Sequence, residues 1–496
     1  MILRFKSSVA FSLLLTLNVA AARAADVSSV TTLAKPSTNG VPWRASEIIR
    51  LRSDLDKLLQ IPAVRSAHVG FIATDTKNGT LLYSRNTDQE FMPASNFKLL
   101  TGSAALSKLG TDFSFLTTVR SDGSVSSGVL NGNLYLRGGG DPLLRASDLE
   151  SAAAQLAASG VTRITGAVYT DASYFDDQRY GFGWSWDDFP YYYAAVVSAL
   201  SLEENVIHIH MRPGEAVGSP VQLVIAPATQ AFKIDNRMTT GPKDSKDSSD
   251  IKRRSPDTIT LTGTYPLGAK ESEDLVPAVP DPQRYAGDVF LSALQGHGIA
   301  VTGPAISGPT PVGARVLWTH SSEKLPLLLA DFWYPSDNLM GELLLKALGV
   351  AKSGAPGSDP PGIEMENDYL RSVNVDPKTV SITDGSGLSQ YDRITPRDLW
   401  KILQSDWDGP NRDIVLDALP VSGVRGTLEG AYKGTPAEKM VFAKTGSISH
   451  VRTISGFIRT RRHGAVTFSF MLDDWLEDGP ALAKLRADIF SRFVTD

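Results

Sequence analysis

The sequence predicts an α/β domain assembled from both ends of the chain and interrupted by a β-rich insertion. The first 110 residues and the stretch from about 325 onward mix apolar-periodic helical runs with strands. Between them, residues 113–317 read as short alternating strands divided by Gly, Asp, Ser and Pro turns. No repeat of fixed period runs through the chain, so the change of character marks an insertion rather than an array.

The chain opens on Arg4 and Lys6, an apolar run from Val9 to Ala22, and the small-x-small site Ala22-Arg23-Ala24. That pattern predicts a cleaved secretory signal over 1–24 and a mature start near Ala25. The run is shorter than the ~20 residues a spanning helix needs, so no stable membrane span is expected in the mature chain. Export without a single cysteine points to a bacterial periplasm rather than a disulfide-forming secretory route. Cysteine nucleophiles, disulfides and thiolate metal sites are excluded with it. A net charge of −5 with 21 % charged residues lacks the basic excess of a nucleic-acid binder. The hydrophobic content of 42 % suffices for a large core.

Along the chain, residues 45–60 read as an amphipathic helix with Ile48, Ile49, Leu51, Leu55, Leu58 and Leu59 near one face. Strands follow at Ala67–Ala73 and Gly79–Tyr83, turned at Asn78-Gly79. Then comes a helical run from Asn96 to Leu109, closed by Gly110. Strands are expected at Phe115–Val119, Leu130–Leu136, Val161–Tyr169, Val206–Met211, Val221–Ile225 and Thr258–Thr262. The charged segment Gly241–Asp257 reads as a surface loop, and Asp281–Gln295 as a helix.

Three short elements carry chemistry. Ser95-Asn96-Phe97-Lys98 puts a hydroxyl and an amine three residues apart on one helical face, at a helix N-terminus whose dipole favours negative charge. Ser336-Asp337-Asn338 starts a helical run, and Lys444-Thr445-Gly446 precedes a strand candidate at Arg452–Ile458. Singly such triplets are weak: Ser-x-x-Lys recurs at Ser249/Lys252 and Ser321/Lys324, and Lys352-Ser353-Gly354 sits in a Gly/Pro-rich stretch. Their order and context give the set its weight.

With these motifs the chain resembles peptidase family S13, the low-molecular-mass class C penicillin-binding proteins. The resemblance extends to Phe91–Leu99, to Leu136-Arg137-Gly138-Gly139-Gly140-Asp141-Pro142, to Asp384-Gly385-Ser386-Gly387-Leu388-Ser389, and to Leu419-Pro420 with Gly423 and Gly426-Thr427-Leu428. Spacing agrees, with 241 residues between Ser95 and Ser336 and 108 between Ser336 and Lys444. The resemblance implies a penicillin-binding/β-lactamase-like transpeptidase domain: an antiparallel sheet with helices on both faces. Expected bounds are 25–112 with 318–496 for that domain, 113–168 with 275–317 for one inserted module, and 169–274 for a second nested in it.

It also implies D-alanyl-D-alanine carboxypeptidase and endopeptidase activity on peptidoglycan peptides, without a cofactor or metal, and acylation by β-lactam antibiotics. Ser95 would be the nucleophile, Lys98 its base, Ser336 a proton relay, and Asn338 the holder of the substrate amide. Lys444 and Thr445 of Lys444-Thr445-Gly446 would take the terminal carboxylate. The backbone N–H groups of Ser95 and Ser447 would form the oxyanion hole. From the insertion, Asp188, Tyr193 and Trp186 would meet the stem peptide, with Ser386 and Leu388 lining the cleft. Where the family often has arginine, this chain has Gln390; Arg393 lies three residues on.

Other residues read as ordinary: the seven histidines form no metal pattern, His450 is a rim residue, Asp473-Asp474 a solvated strand end, and Glu342 a helix support. Glu364 and Glu366 lie in a Gly/Pro-rich loop and lack the deacylating pattern of a β-lactamase, the nearest alternative. A related esterase and a non-catalytic cell-wall binding module are the others.

Overall fold

A computed structural model describes residues 33–269, 275–475 and 479–496; the expected signal segment and the mature start near Ala25 lie outside them. At the centre is a five-stranded sheet made from β1 (His68–Asp75), β2 (Leu81–Arg85), β3 (Val441–Ile448), β4 (Val451–Arg459) and β5 (Ala465–Asp473). Their order is β3-β4-β5-β1-β2, with every pairing antiparallel. Both ends of the chain therefore share one sheet, as the sequence pattern predicts.

Side chains alternate across the strands and feed two cores. On one face Val441, Ala443, Phe71, Phe468 and Phe470 pack against Leu51 and Leu55 of helix α1 (Ala45–Leu58) and Ile489, Phe490 and Phe493 of α6 (Gly479–Thr495). On the other, Phe442 and Phe457 meet α2 (Lys98–Lys108), α3 (Asn338–Ser353), α4 (Asp359–Ser372) and α5 (Pro396–Asp408) through Leu99, Leu343, Leu370 and Ile402. Ile49 departs from the expected apolar face of α1: it is 67 % exposed, because a helix turns about 100° per residue and carries it away from Leu51 and Leu55.

The insertion is mixed rather than purely β. Its larger sheet runs Ala305–Ser307, Val168–Asp171, Leu134–Arg137, Leu116–Ser121, Arg315–Ser321, and two helices, Ala146–Ala158 and Pro282–Gly296, pack with it. Asp281 caps the second of these, accepting from Arg284 N–H at 3.1 Å. The strand expected over Val161–Tyr169 is two, Arg163–Ile164 and Val168–Asp171, which join different sheets. The charged segment expected as a loop contains a strand, Asp250–Ser255, paired antiparallel with Thr258–Thr262. Ile251, opposite Leu261, is buried and anchors the hairpin despite its charged neighbours.

Phe115 and Ser322, at the two ends of the inserted block, are bonded reciprocally. Phe115 N–H donates to Ser322 Oγ and Ser322 N–H to the Phe115 carbonyl, each at 2.9 Å. The strands Arg315–Ser321 and Val168–Asp171 run across the boundaries expected at 318 and 169.

Two further expectations are corrected. Glu364 and Glu366 lie within α4, whose first turn accommodates Pro360 and Pro361 where their missing N–H groups cost nothing. Lys352 and Ser353 end α3 rather than occupying a loop, and Lys352 pairs with Asp368 at 2.8 Å.

Phe490 is fully buried, with its ring 4.9 Å from that of Phe468. Phe490→Ala is expected to cost about 3–5 kcal/mol by cavity formation. Thermal unfolding should record a clear fall in Tm.

Candidate active site

The segment holding Ser95 is a 3₁₀ turn, Ala94–Phe97, that continues into α2. In such a turn residues i and i+3 eclipse each other, which the α-helical expectation did not capture. Lys98 Nζ consequently lies 2.9 Å from Ser95 Oγ. Lys98 is completely buried, and its Nζ also lies 2.5 Å from Asn338 Oδ1 and 2.6 Å from the Ser386 carbonyl. Burial pushes its pKa down to about 8, against the opposing pull of Asp384, Asp337, Glu342 and Asp392.

The Ser336-Asp337-Asn338 element owes its shape to a helix start. Asp337 caps α3, accepting from Met340 N–H at 2.7 Å. The cap leaves Ser336 outside the helix at φ +68° and Asn338 as its first residue. A left-handed serine costs of order 1 kcal/mol, and here it accompanies a 2.8 Å contact from Lys444 Nζ to Ser336 Oγ. Asn338 Nδ2 donates to the Tyr193 carbonyl at 2.7 Å, so the insertion supplies one partner of a motif residue.

Lys444 stands on the edge strand β3, fully buried, and also donates to the Thr445 carbonyl at 2.8 Å. Burial, then the nearby Lys98, hold its pKa well below the usual lysine value. Thr445 Oγ1 is 2.7 Å from Thr427 Oγ1 of the Gly426-Thr427-Leu428 signature. The strand is clamped to the Ser95 turn. In the orientation its neighbours require, Asn96 Nδ2 donates to the Lys444 carbonyl at 2.6 Å and Oδ1 accepts from Ile454 N–H at 3.1 Å. Thr453 Oγ1 donates to the Pro93 carbonyl at 2.7 Å. Gly446 makes this approach possible: a Cβ there would stand 2.2 Å from Thr453 Oγ1 and 2.6 Å from the Pro93 carbonyl oxygen.

The structure therefore gathers Ser95, Lys98 and Asn338 with the Ser386 backbone in one hydrogen-bonded group and Ser336, Lys444 and Thr445 in a second, the two lysines lying near enough to disfavour each other's charge. Ser447 lies exposed one residue beyond Gly446. Leu388 is half-buried, Ser386 fully buried and Gln390 exposed. Arg393 is turned back on its own loop, donating to the carbonyls of Gln390 and Asp392 at 2.8 and 2.7 Å. In the aromatic segment, Asp188 accepts the Tyr193 hydroxyl at 2.9 Å, while Trp186 is 81 % exposed.

Several residues that build this site were not singled out from the sequence. Trp184 is buried, and its Nε1 donates to Asp384 Oδ2 at 2.8 Å. Glu342 is buried and accepts Gly385 N–H at 3.1 Å, holding the peptide next to the Ser386 carbonyl. Its spacing one turn beyond Asn338 was the available signal. Asp473 is not a solvated end: it is buried and accepts Met92 N–H at 2.9 Å, anchoring the approach to Ser95. Among the described residues no group of His, Cys, Asp and Glu could hold a metal, and no helix is long and apolar enough to cross a membrane.

Known proteins share this sequence pattern and this fold. The profile of the D-Ala-D-Ala carboxypeptidase 3 (S13) family matches residues 51–491. A D-alanyl-D-alanine carboxypeptidase from Actinomadura sp. (strain R39) is 35 % identical over 451 residues, covering 88 % of this chain and 83 % of the relative. The D-alanyl-D-alanine carboxypeptidase DacB of Haemophilus influenzae is 27 % identical over 410 residues, covering 81 % and 84 %. The crystal structure of penicillin binding protein 4 (dacB) from H. influenzae superposes with a TM-score of 0.80 at 24 % identity, over 89 % of this chain and all of that one, and establishes the shared fold. That protein has also been crystallised with a β-lactam, with a TM-score of 0.75. The family match over nearly the whole described chain, together with a relative more than one-third identical across its length, makes this protein a member of the S13 family and a serine-type D-alanyl-D-alanine carboxypeptidase.

Proposed function

We propose that Ser95 attacks the carbonyl of the penultimate D-alanine of peptidoglycan stem peptides, with Lys98 as its base, and that the same enzyme opens D-Ala-containing cross-links as an endopeptidase. The observation that carries this reading is the set of three acceptors around Lys98 Nζ: Ser95 Oγ, Asn338 Oδ1 and the Ser386 carbonyl. A neutral amine has two N–H donors and one lone pair. With the donors spent on Asn338 and Ser386, which cannot donate back through those oxygens, the lone pair is aimed at the Ser95 hydroxyl. Lys98 takes that proton as the Ser95 Oγ–C bond forms. The tetrahedral oxyanion is received by the N–H groups of Ser95 and Ser447.

Ser336, hydrogen-bonded to Lys444, relays the proton that Lys98 took from Ser95 to the departing D-alanine nitrogen as its C–N bond breaks, which leaves Lys98 neutral again. Water then hydrolyses the ester. Asn338, Ser386 and Leu388 hold the acyl side, and Asp188, Tyr193 and Trp186 bound the cleft on the insertion side. Gln390 supplies no cation there, and Arg393 is engaged elsewhere.

Lys444 and Thr445 receive the terminal carboxylate. Two buried ammonium groups this close disfavour each other, so the arrival of a carboxylate settles the positive charge on Lys444 and leaves Lys98 neutral. A substrate with a free C-terminus thereby primes the base. β-Lactams present the same acyl group and carboxylate and acylate Ser95. The enzyme works in the periplasm after removal of residues 1–24, and the insertion leaves the peptidase domain at Phe115 and returns at Ser322.

Intact-mass measurement after incubation with benzylpenicillin tests the nucleophile: a one-drug adduct is expected on the wild type and none on Ser95→Ala. Rapid drug hydrolysis with no lasting adduct would favour a β-lactamase instead. The base is tested by pH. Activity requires neutral Lys98, so it falls as pH drops, and kcat/KM should lose half its value near pH 8. The kcat profile, which reports the complex, should break at lower pH, and the gap should vanish for a peptide with an amidated C-terminus.

A further inference from the structure

We infer that Trp184 and Asp384 form a positioning pair through which the insertion holds the general base in place. The inference rests on Lys98 acting as the base of Ser95. Trp184 belongs to the inserted block, 200 residues from Asp384 in sequence, and is 8 % exposed. Its indole N–H donates to Asp384 Oδ2 at 2.8 Å. Asp384 is wholly buried and also accepts from Ser386 N–H at 3.0 Å, Ser386 Oγ–H at 3.1 Å, Gly387 N–H at 2.6 Å and Ser389 N–H at 2.8 Å. Each of these five contacts brings a donor to the carboxylate. It gathers residues 384–389 into one rigid loop.

That loop delivers the Ser386 carbonyl to Lys98 Nζ at 2.6 Å. It also lies against the residue before the nucleophile, since a Cβ on Gly387 would stand 2.0 Å from the Ala94 carbonyl oxygen. The indole is seated tightly in turn: a Cβ on Gly181 would come within 2.4 Å of its Nε1. One chain of contacts thus runs from the insertion through Trp184, Asp384 and Ser386 to Lys98. Asp384 also exerts the strongest pull of the carboxylates acting on Lys98. The other charged or titratable groups facing this pair are Asp337 and Glu342 from α3, Asp359 and Glu366 from α4, Asp392 from the same loop, and Lys444 from β3.

Trp184→Phe keeps the buried ring and removes the single donor. On a D-Ala-D-Ala peptide it is expected to lower kcat about tenfold, the loss of one charge-assisted hydrogen bond, with KM within about twofold. Asp384→Asn removes the anion facing Lys98 and should move the acid limb of kcat/KM to lower pH. A rise in KM with kcat intact would make Trp184 a substrate wall and overturn the inference, as would a normal kcat. If Asp384→Asn does not fold, the kcat/KM split of Trp184→Phe decides alone. Wild-type enzyme, assayed alongside for activity and for its acid limb, separates the two readings. A missing wild-type limb removes Lys98 as base, whereas unmoved variants beside a normal wild type remove only the positioning pair.

Discussion

Two lysines buried in one cleft are the constraint on which the rest of this structure depends. A buried ammonium is costly unless acceptors surround it, and two in proximity disfavour each other's charge. Lys98 and Lys444 are both wholly buried, and both have lowered pKa values. Around Lys98 the fold has arranged a carbonyl, an amide oxygen and a hydroxyl; around Lys444 a hydroxyl and a carbonyl. The acceptors in direct contact are neutral, while the carboxyl groups of Asp384, Asp337, Glu342 and Asp392 act from further away. A carboxylate in direct contact would restore a lysine to full charge and end its use as a base. Neutral acceptors leave the charge free to rest on either lysine.

Holding those acceptors still is the task of the frame. The active segments come from distant parts of the chain, and each is fixed by a local device before packing joins them. A 3₁₀ turn aligns Ser95 with Lys98, an aspartate cap sets out Ser336 and Asn338, and an edge strand carries Lys444. The joins are hydrogen bonds to backbone: Asn96 to the Lys444 carbonyl, Thr453 to the Pro93 carbonyl, Glu342 to Gly385 N–H, Asp473 to Met92 N–H. Backbone partners vary little with side-chain motion, which suits a site whose chemistry turns on tenths of an ångström.

Much of this was legible in the sequence because the motifs are short-range objects. Ser-x-x-Lys, Ser-Asp-Asn and Lys-Thr-Gly each encode a local geometry, and the α/β-insertion-α/β pattern follows from periodicity at the two ends. What escaped was non-local. Asp473 looks like any acid at a strand end until β5 pairs with β1 and lays it under Met92. Glu366 reads as a loop acid beside two prolines, yet those prolines open a helix that buries it completely. The strand Asp250–Ser255 was hidden by its charges because only Ile251 marks its inner face, and an edge strand needs no more. Among the tryptophans, Trp186 and Trp184 differ by two positions, and composition alone gives no reason to prefer the buried one.

Hydrogen bonds join the insertion to the residues behind the motifs. Its two ends are joined by the Phe115–Ser322 hydrogen bonds, and the central sheet has no strand from the block between them. Excision would nonetheless remove the Tyr193 carbonyl from Asn338 Nδ2 and the indole N–H from Asp384. Asn338 could then rotate, exchanging its oxygen for its nitrogen in front of Lys98, and a donor facing an ammonium is repulsive. That amide is thus held from two sides, by Lys98 within the domain that bears the motifs and by the Tyr193 carbonyl from the insertion. The insertion thus supplies hydrogen-bond partners to Asn338 and Asp384 behind the motif residues, and these contacts fix where it docks.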